Sequence, residues 1–504
     1  MTDIESGANT DWLSARARAT PHKAFLHVEA ETYSFADIDR LAGSTAAFIR
    51  TRANVGPGDH VALLMRNGPA SVLSLLALMR LGAVVVPLNT RLSAGELKWQ
   101  VKNSGCRLVI CERDSEAIAR AASAPTLVFP GLANLTGADD ADAPAGPAAP
   151  DAQTDIDRKR DFAIIHSSGT SGRPKAAILT YNNIFQSALG SAFRLGLLPD
   201  DRWLCVLPTY HVGGLSIILR SLIYGTAVEL PPMKRFDVDA VNRLLSERPI
   251  SLVSLVPTML SRLLDAKARP WNPRLRLVLL GGEATPVELA ARCREAGIPI
   301  APSYGLSEAA SQVATASPEL LRSKPESVGK PLLFTELRVI NERGADAAPG
   351  EPGEIIVKGP QVMRGYYNDS AATERSLRDG WLHTGDIGAL DEDGDLVVLQ
   401  RREDLILSGG ENIYPAEVEK ALRAHPAVEE VIALGLEDAK WGQRVAAAIQ
   451  LRDGRGVSQD AIFAFARGVL ASYKIPREIR FISAFPRASS GKIQRREVRK
   501  LFND

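Results

Sequence analysis

Short apolar runs alternate with longer amphipathic stretches along most of the chain, a rhythm that predicts strands joined by helices. The run LRLVLL at 275–280 predicts a strand. Behind it, Thr285 and Pro286 open a helix that stops at Gly297: Thr suits an N-cap, Pro the first helical turn, and Gly the position past a helix end. The most apolar stretch, 72–88, is broken by Arg80 and Pro87 and falls short of the roughly 18 uninterrupted apolar residues that a membrane span requires. It predicts a buried helix followed by a buried strand, and 162–165 predicts a further strand. Across 137–158 Ala, Pro, Gly and Asp displace the branched and aromatic residues of packed elements, which predicts a surface linker or loose loop. Beyond Arg401 a fresh series begins: VEEVIALGL, VAAAIQL, a helix near Ala461, and EIRFIS. That is enough α/β pattern for a separate small domain. With no solenoid period and no heptad run, the expected architecture is α/β, a large N-terminal unit followed by a small C-terminal one.

Composition narrows the classes. At 504 residues with 45% hydrophobic positions the chain is globular and too long for a single core. Lys plus Arg number 60 against 59 Asp plus Glu, and a net charge of +1 provides no field to gather nucleic acid or an anionic membrane. The polar, acidic start MTDIESGANTDW lacks the basic and apolar regions of a signal peptide, so a cytoplasmic protein without integral membrane association is expected. Cys106, Cys111, Cys205 and Cys293 are scattered, without a CxxC pair or flanking histidines, and read as reduced core thiols rather than zinc ligands.

The chemistry-bearing segment is DFAIIHSSGTSGRPKAAILT. An apolar strand leads directly into Ser167, Ser168, Gly169, Thr170, Ser171, Gly172, Arg173, Pro174 and Lys175. Small residues let backbone N–H groups and hydroxyls close around phosphate oxygens, and Lys175 and Arg173 add positive charge. The spacing is not that of a GxxxxGK[ST] loop, because Gly169, Gly172 and Lys175 are three apart and Ala176 follows the lysine. Alone, such a turn is usually only a mobile hairpin. The order SSGTSGRPK, however, resembles the signature loop of the acyl-activating, adenylate-forming enzymes. PTYHVGGL from Pro208, GGE from Gly281, YGLSE from Tyr304, WLHTGD from Trp381 and PRASSGKIQRRE from Pro486 follow in that family's order.

The resemblance covers essentially the whole chain. It implies a large N-terminal domain of sheets, helices and a distorted β-barrel (1–402) and a small mobile C-terminal domain (403–504), together an acyl-CoA synthetase using ATP, Mg²⁺ and coenzyme A. Attack of a carboxylate on the α-phosphate of ATP brings anions together, so cations are required. By resemblance Glu308 holds Mg²⁺, a hard cation that takes oxygen ligands. Asp386 accepts from the ribose hydroxyls and Arg401 contacts ribose or phosphate. Gly281, Gly282 and Glu283 admit adenine, with Ser303, Tyr304, Gly305 and Ser307 on its other side, although Tyr304 equally suits a core aromatic. Lys492 reaches the carboxylate and α-phosphate, although a basic run such as 492–500 otherwise reads as a solvated helix face. His211 stands between the acyl pocket and the coenzyme A tunnel. Glu403 matches the pivot between two reactions, and Ser408, Gly409, Gly410 and Glu411 line the pantetheine channel. Ala176, Gln400, Glu403 and Ala488 depart from the usual family residues without removing a catalytic group.

Within that family, 89–112, 206–230 and 304–317 look most like the branch that acts on o-succinylbenzoate in menaquinone synthesis. An aromatic dicarboxylate needs an apolar slot and donors for its second carboxylate, for which Ser216, Thr258, Ser311 and Gln312 are the candidates, with His211 also bordering the acyl pocket. Another aromatic or medium-chain acid, a carrier protein as acceptor, and a nucleotide-binding protein without catalysis remain open, as does the oligomeric state, a homodimer included.

Overall fold

Where the sequence supplies a reciprocal cap, a helix begins. Ser34 and Asp37 exchange backbone and side-chain hydrogen bonds at the head of Phe35–Ala53, and Asn54 closes it in the left-handed region at φ 49°. Thr180 and Asn183 do the same for Tyr181–Leu195 at 2.8 and 3.1 Å. The apolar stretch 72–88 forms the helix Pro69–Leu81 and the strand Val84–Pro87, every residue of which is buried. The strand expected at 275–280 forms over Leu277–Leu280, but its following helix is Val287–Glu295, with Pro286 as the cap. The proline ring sets φ and leaves ψ free; an extended ψ of 139° keeps Pro286 outside the helix.

The structure is a computed structural model and describes residues 11–135, 157–167, 174–266, 268–400, 406–413, 415–452, 456–486, 493 and 495–502. The expected linker at 137–158 lies, except for its last two residues, outside the described residues. The chain divides into two units: one gathers residues up to Thr90, Gln100–Ile165 and Ala176–Leu399, the other Arg91–Trp99, His166–Lys175 and Gln400 onward.

Among the described residues three sheets belong in the main to the larger unit. A seven-stranded sheet has a parallel centre built on Asp161–Ser167, Val84–Pro87, His60–Leu64 and Leu108–Cys111, with near-continuous burial because both faces are covered. A nine-stranded sheet is parallel through Ile300–Leu306, Leu277–Leu280, Leu252–Leu255, Arg202–Leu204, Ala227–Glu229 and Ala24–Val28, then antiparallel at its edges. A five-stranded sheet with antiparallel pairing of Glu336–Ile340, Gly353–Lys358 and Trp381–Leu390 completes the unit.

In the smaller unit Val428–Asp438 pairs with Gly442–Leu451, which pairs in parallel with Glu478–Ile482. Alternation sorts the two faces: Val431 and Ala433 join the core beneath Pro415–Arg423 and Gln459–Val469, whereas Ile432, Leu434 and Leu436 pack with Val498 and Phe502. The expected C-terminal strands and the helix near Ala461 are therefore present, and the fold is mixed α/β with a large N-terminal and a small C-terminal part. No helix among the described residues is long and apolar enough to cross a membrane. Cys111, Cys205 and Cys293 are buried free thiols and Cys106 a half-buried one.

On Ala24–Val28, burial and the nearby Arg202 and Arg248 hold His27 down at about 4. The folded protein refuses a proton that the unfolded chain accepts below its ordinary value near 6.5. Stability should therefore fall as pH drops from about 6.5 toward about 4. Urea titrations across that range should show a shallower fall for His27→Gln.

Candidate functional site

Three neighbouring parallel strands end at one edge of the nine-stranded sheet, in the register Leu255↔Leu280 and Leu280↔Pro302. Crevices of open α/β sheets form at such carboxyl ends. The segments that leave these strands carry residues the sequence singled out. Thr258 is the second residue of the helix Pro257–Asp265; Gly281, Gly282 and the half-buried Glu283 come directly after Leu277–Leu280; Ser303, Tyr304, Gly305, Ser307 and Glu308 finish Ile300–Leu306 and the short turn Ser307–Ala309. The Ser303 hydroxyl donates to the Leu280 carbonyl at 2.8 Å, joining the last two strands.

The strand Ile300–Leu306 then turns back on Ser311–Thr315, with a register irregularity between Tyr304 and Gly305. At Gly305 the two backbones come so close that a Cβ would lie 2.0 Å from the Ser311 carbonyl oxygen. The returning chain passes through Ala310 and Ser311 at φ 50° and 103°, and strained backbone of this kind persists only where its surroundings over-determine it.

Those surroundings are polar and buried. Glu308, 7% exposed, accepts at Oε1 from the Tyr366 hydroxyl at 2.9 Å, and its carbonyl accepts from the Met363 N–H at 2.8 Å. Asn183, the third residue of the helix capped by Thr180, donates to the carbonyls of Pro360 and Val362, both at 2.8 Å, so the start of that helix also anchors the segment on which Met363 lies. Tyr304 is 1% exposed and donates its hydroxyl to Asp386 Oδ2 at 2.7 Å.

Behind the turn stands a group that sequence reasoning missed. Arg220, on the helix Val212–Tyr224, is 3% exposed and donates from Nη2 to the Ser187 hydroxyl at 3.2 Å; that hydroxyl donates to the Ala310 carbonyl at 2.7 Å. Its Nε is buried and finds no hydrogen-bond partner among the described residues, and burial lowers the guanidinium pKa from its ordinary value. The signal was present in VGGLSIILRSLIY, a single charge in an apolar helix, one turn after Ser216. Tyr366 was also missed, because no local spacing ties it to a glutamate 58 residues earlier.

The remaining expected residues take separate positions. Gln312 accepts from Ser191 and donates to Thr315, both at 2.8 Å, so its amide is engaged by the core. Ser216 donates to the Val212 carbonyl of its own helix at 2.6 Å. His211 precedes that helix, its ring edge-on to Tyr210 at 4.7 Å, and an apolar cavity of about 20 Å³ lies beside Thr209 and Tyr210. Ser167 and Lys175 end and begin described strands; Ser168, Gly169, Thr170, Ser171, Gly172, Arg401, Glu403 and Lys492 lie outside the described residues. In the smaller unit Ser408 and Glu411 face each other across a tight hairpin whose Gly409 and Gly410 have φ 59° and 83°, and Glu411 is paired with Arg91 at 3.0 Å.

Residues 13–367 match the AMP-binding enzyme family and residues 417–492 the AMP-binding enzyme C-terminal domain. A 2-succinylbenzoate–CoA ligase of Bacillus cereus is 40% identical over 496 residues, covering 98% of each chain. Among solved structures, the o-succinylbenzoate CoA synthetase of Bacillus subtilis, a double mutant bound with its product analogue OSB-NCoA, is similar at TM-score 0.89 and 37% identity, covering 97% of this chain and 98% of that one. The same synthetase in complex with ATP and magnesium ion is similar at TM-score 0.72 and 36% identity, covering 97% and 99%.

Gly305→Ala should destabilise the protein by about 3 kcal/mol, the upper range for overpacking, and Tyr366→Phe by about 1 kcal/mol, one hydrogen bond. Chemical denaturation of the three proteins side by side checks that order.

Proposed function

Since the chain belongs to the AMP-binding enzyme family, we propose that it is an ATP-dependent acid–thiol ligase whose acid is o-succinylbenzoate. The acid's carboxylate displaces diphosphate from the α-phosphate of ATP, leaving an acyl-adenylate; the thiol of coenzyme A then displaces AMP and loses its proton, leaving the thioester. Ser167–Lys175, with Ser168, Gly169, Thr170, Ser171 and Gly172 between them, would cradle phosphates, Gly281–Glu283 and Ser303–Ser307 would border adenine, and Asp386 and Arg401 would read the ribose.

Glu308 suits magnesium: it is a buried carboxylate steadied by Tyr366 at 2.9 Å, and Mg²⁺ is held by one or two carboxylates and completes its shell with phosphates and water. When bound, the ion neutralises charge that develops on the phosphates. Lys492 would supply the positive charge beside the reacting carboxylate. His211 would border the passage for coenzyme A, with Ser408, Gly409, Gly410 and Glu411 along the pantetheine. On the same reading the chain divides into 1–402 and 403–504, and Glu403 would be the pivot between the two reactions. Such a ligase works in the cytoplasm, where ATP and coenzyme A are supplied; sedimentation would decide between monomer and homodimer.

The observation that carries the choice of acid is Arg220. A guanidinium at 3% exposure is costly without an anion, and the Ser187 hydroxyl links it at 3.2 Å to the turn that bears Glu308 and Ser311. A second carboxylate would supply that anion; a fatty acid would not.

Diphosphate release and thioester formation, measured with ATP, Mg²⁺ and coenzyme A across o-succinylbenzoate, benzoate, malonate and medium-chain acids, should favour o-succinylbenzoate. Turnover of another acid would replace the substrate and keep the ligase; no AMP from any acid would leave a nucleotide-binding protein. Lys492→Ala should slow adenylation by about 10² to 10³, the usual effect of one preorganised charge. Arg220→Met should raise KM for o-succinylbenzoate about 10- to 100-fold, a charged hydrogen bond's worth, and leave KM for benzoate unchanged in the same assay.

A further inference from the structure

We infer that Glu354 is a positioning residue that sets Asp386 toward the ribose by fastening the bulge on which Asp386 stands. This rests on the reading of Asp386 as the ribose acceptor.

The strands Gly353–Lys358 and Trp381–Leu390 pair as Gly353↔Gly388 and Glu354↔Ile387, then resume as Ile356↔His383. Thr384, Gly385 and Asp386 therefore stand opposite Ile355 alone. Bulges next to functional sites re-aim a side chain, at the expense of ladder hydrogen bonds, and the released backbone groups need other partners. Here they have them. The Thr384 hydroxyl donates to the Ile355 carbonyl at 2.6 Å, and the Asp386 N–H donates to that hydroxyl at 3.0 Å. The Gly385 N–H donates to Glu354 Oε1 at 3.0 Å, while Glu354 Oε2 meets His383 Nδ1 at 3.0 Å.

One carboxylate thus grips the paired residue just before the bulge and the bulge's apex. Gly385 has φ 73°, a conformation that disfavours side chains, so the apex has no side chain of its own with which to pack. Glu354 supplies that missing hold, and an ionised acceptor makes the stronger kind of hydrogen bond. The far end of the arrangement is Asp386, 8% exposed, whose Oδ2 accepts from the Tyr304 hydroxyl at 2.7 Å. Rotation of the Gly385 peptide would swing the Asp386 carboxylate away from the strand that carries Ser303 and Tyr304. Glu354 itself is 29% exposed in its side chain, and neither His383 nor Gly385, which its carboxylate meets, is a residue assigned to the acid.

The test compares ATP with 2′,3′-dideoxy-ATP in the diphosphate-release assay for the wild type, Glu354→Ala and Glu354→Gln, with melting temperatures recorded for each. The wild type should prefer ATP. Glu354→Ala should raise KM for ATP about tenfold, as for one lost charged hydrogen bond, and leave KM for dideoxy-ATP and for the acid unchanged, erasing the preference. Glu354→Gln keeps an acceptor for the Gly385 N–H and should restore most of it. A preference that survives intact in Glu354→Ala overturns the positioning role and leaves the ribose reading standing. A wild type indifferent to the ribose hydroxyls overturns that reading and the role of Glu354 with it. Equal losses toward ATP, dideoxy-ATP and the acid, with a lowered melting temperature, would make Glu354 merely structural and also overturn the proposal.

Discussion

The absence of a side chain at Gly305 governs the rest of the site. Its strand is parallel to Leu277–Leu280 on one side and antiparallel to Ser311–Thr315 on the other, and the return is tight enough that a Cβ would lie 2.0 Å from the Ser311 carbonyl oxygen. From that close approach follow the positive φ values at Ala310 and Ser311, the burial of Glu308, and the alignment of Ser303 with the end of the neighbouring strand. A wider hairpin would separate the residues that face adenine in the proposed reading from the carboxylate that faces magnesium.

Strain at the turn is held by hydrogen bonds that arrive from distant parts of the chain. Tyr366 and Met363 hold Glu308, Ser187 holds the Ala310 carbonyl, and Ser191 and Thr315 hold Gln312. Fully satisfied buried networks specify one arrangement, and each lost partner leaves a desolvated polar group. Arg220 departs from this rule, since its buried Nε finds no partner among the described residues. Native proteins keep few such groups, and each that persists calls for a physical reason.

Much of the fold was legible because local patterns have local causes. The helix and strand within 72–88, the strand at 275–280 and the C-terminal α/β series follow from apolar periodicity, and each formed. Thr285 and Pro286 misled by a residue because a proline's ring says nothing about its ψ. Gly305 of YGLSE was read only as a neighbour of adenine, and the close approach of the Ser311 carbonyl opposite it was not written in the local sequence. Gln312 looked like a pocket donor from its place after YGLSE, yet its amide faces Ser191 and Thr315, which only the packing of two helices against the strand could reveal.

The sequence by itself determined the architecture class, the succession of strands and helices, and the ordered motifs that single out Glu308, Asp386 and the phosphate loop, since these depend on residue type and short spacing. Tertiary structure alone decided that Tyr304 meets Asp386, that Tyr366 meets Glu308, that Glu354 clasps the bulge that carries Asp386, and that Arg220 stands behind Ser187. Those pairs lie between about 30 and 80 residues apart. Contacts at such separations are set by how sheets and helices stack, and no local propensity encodes them.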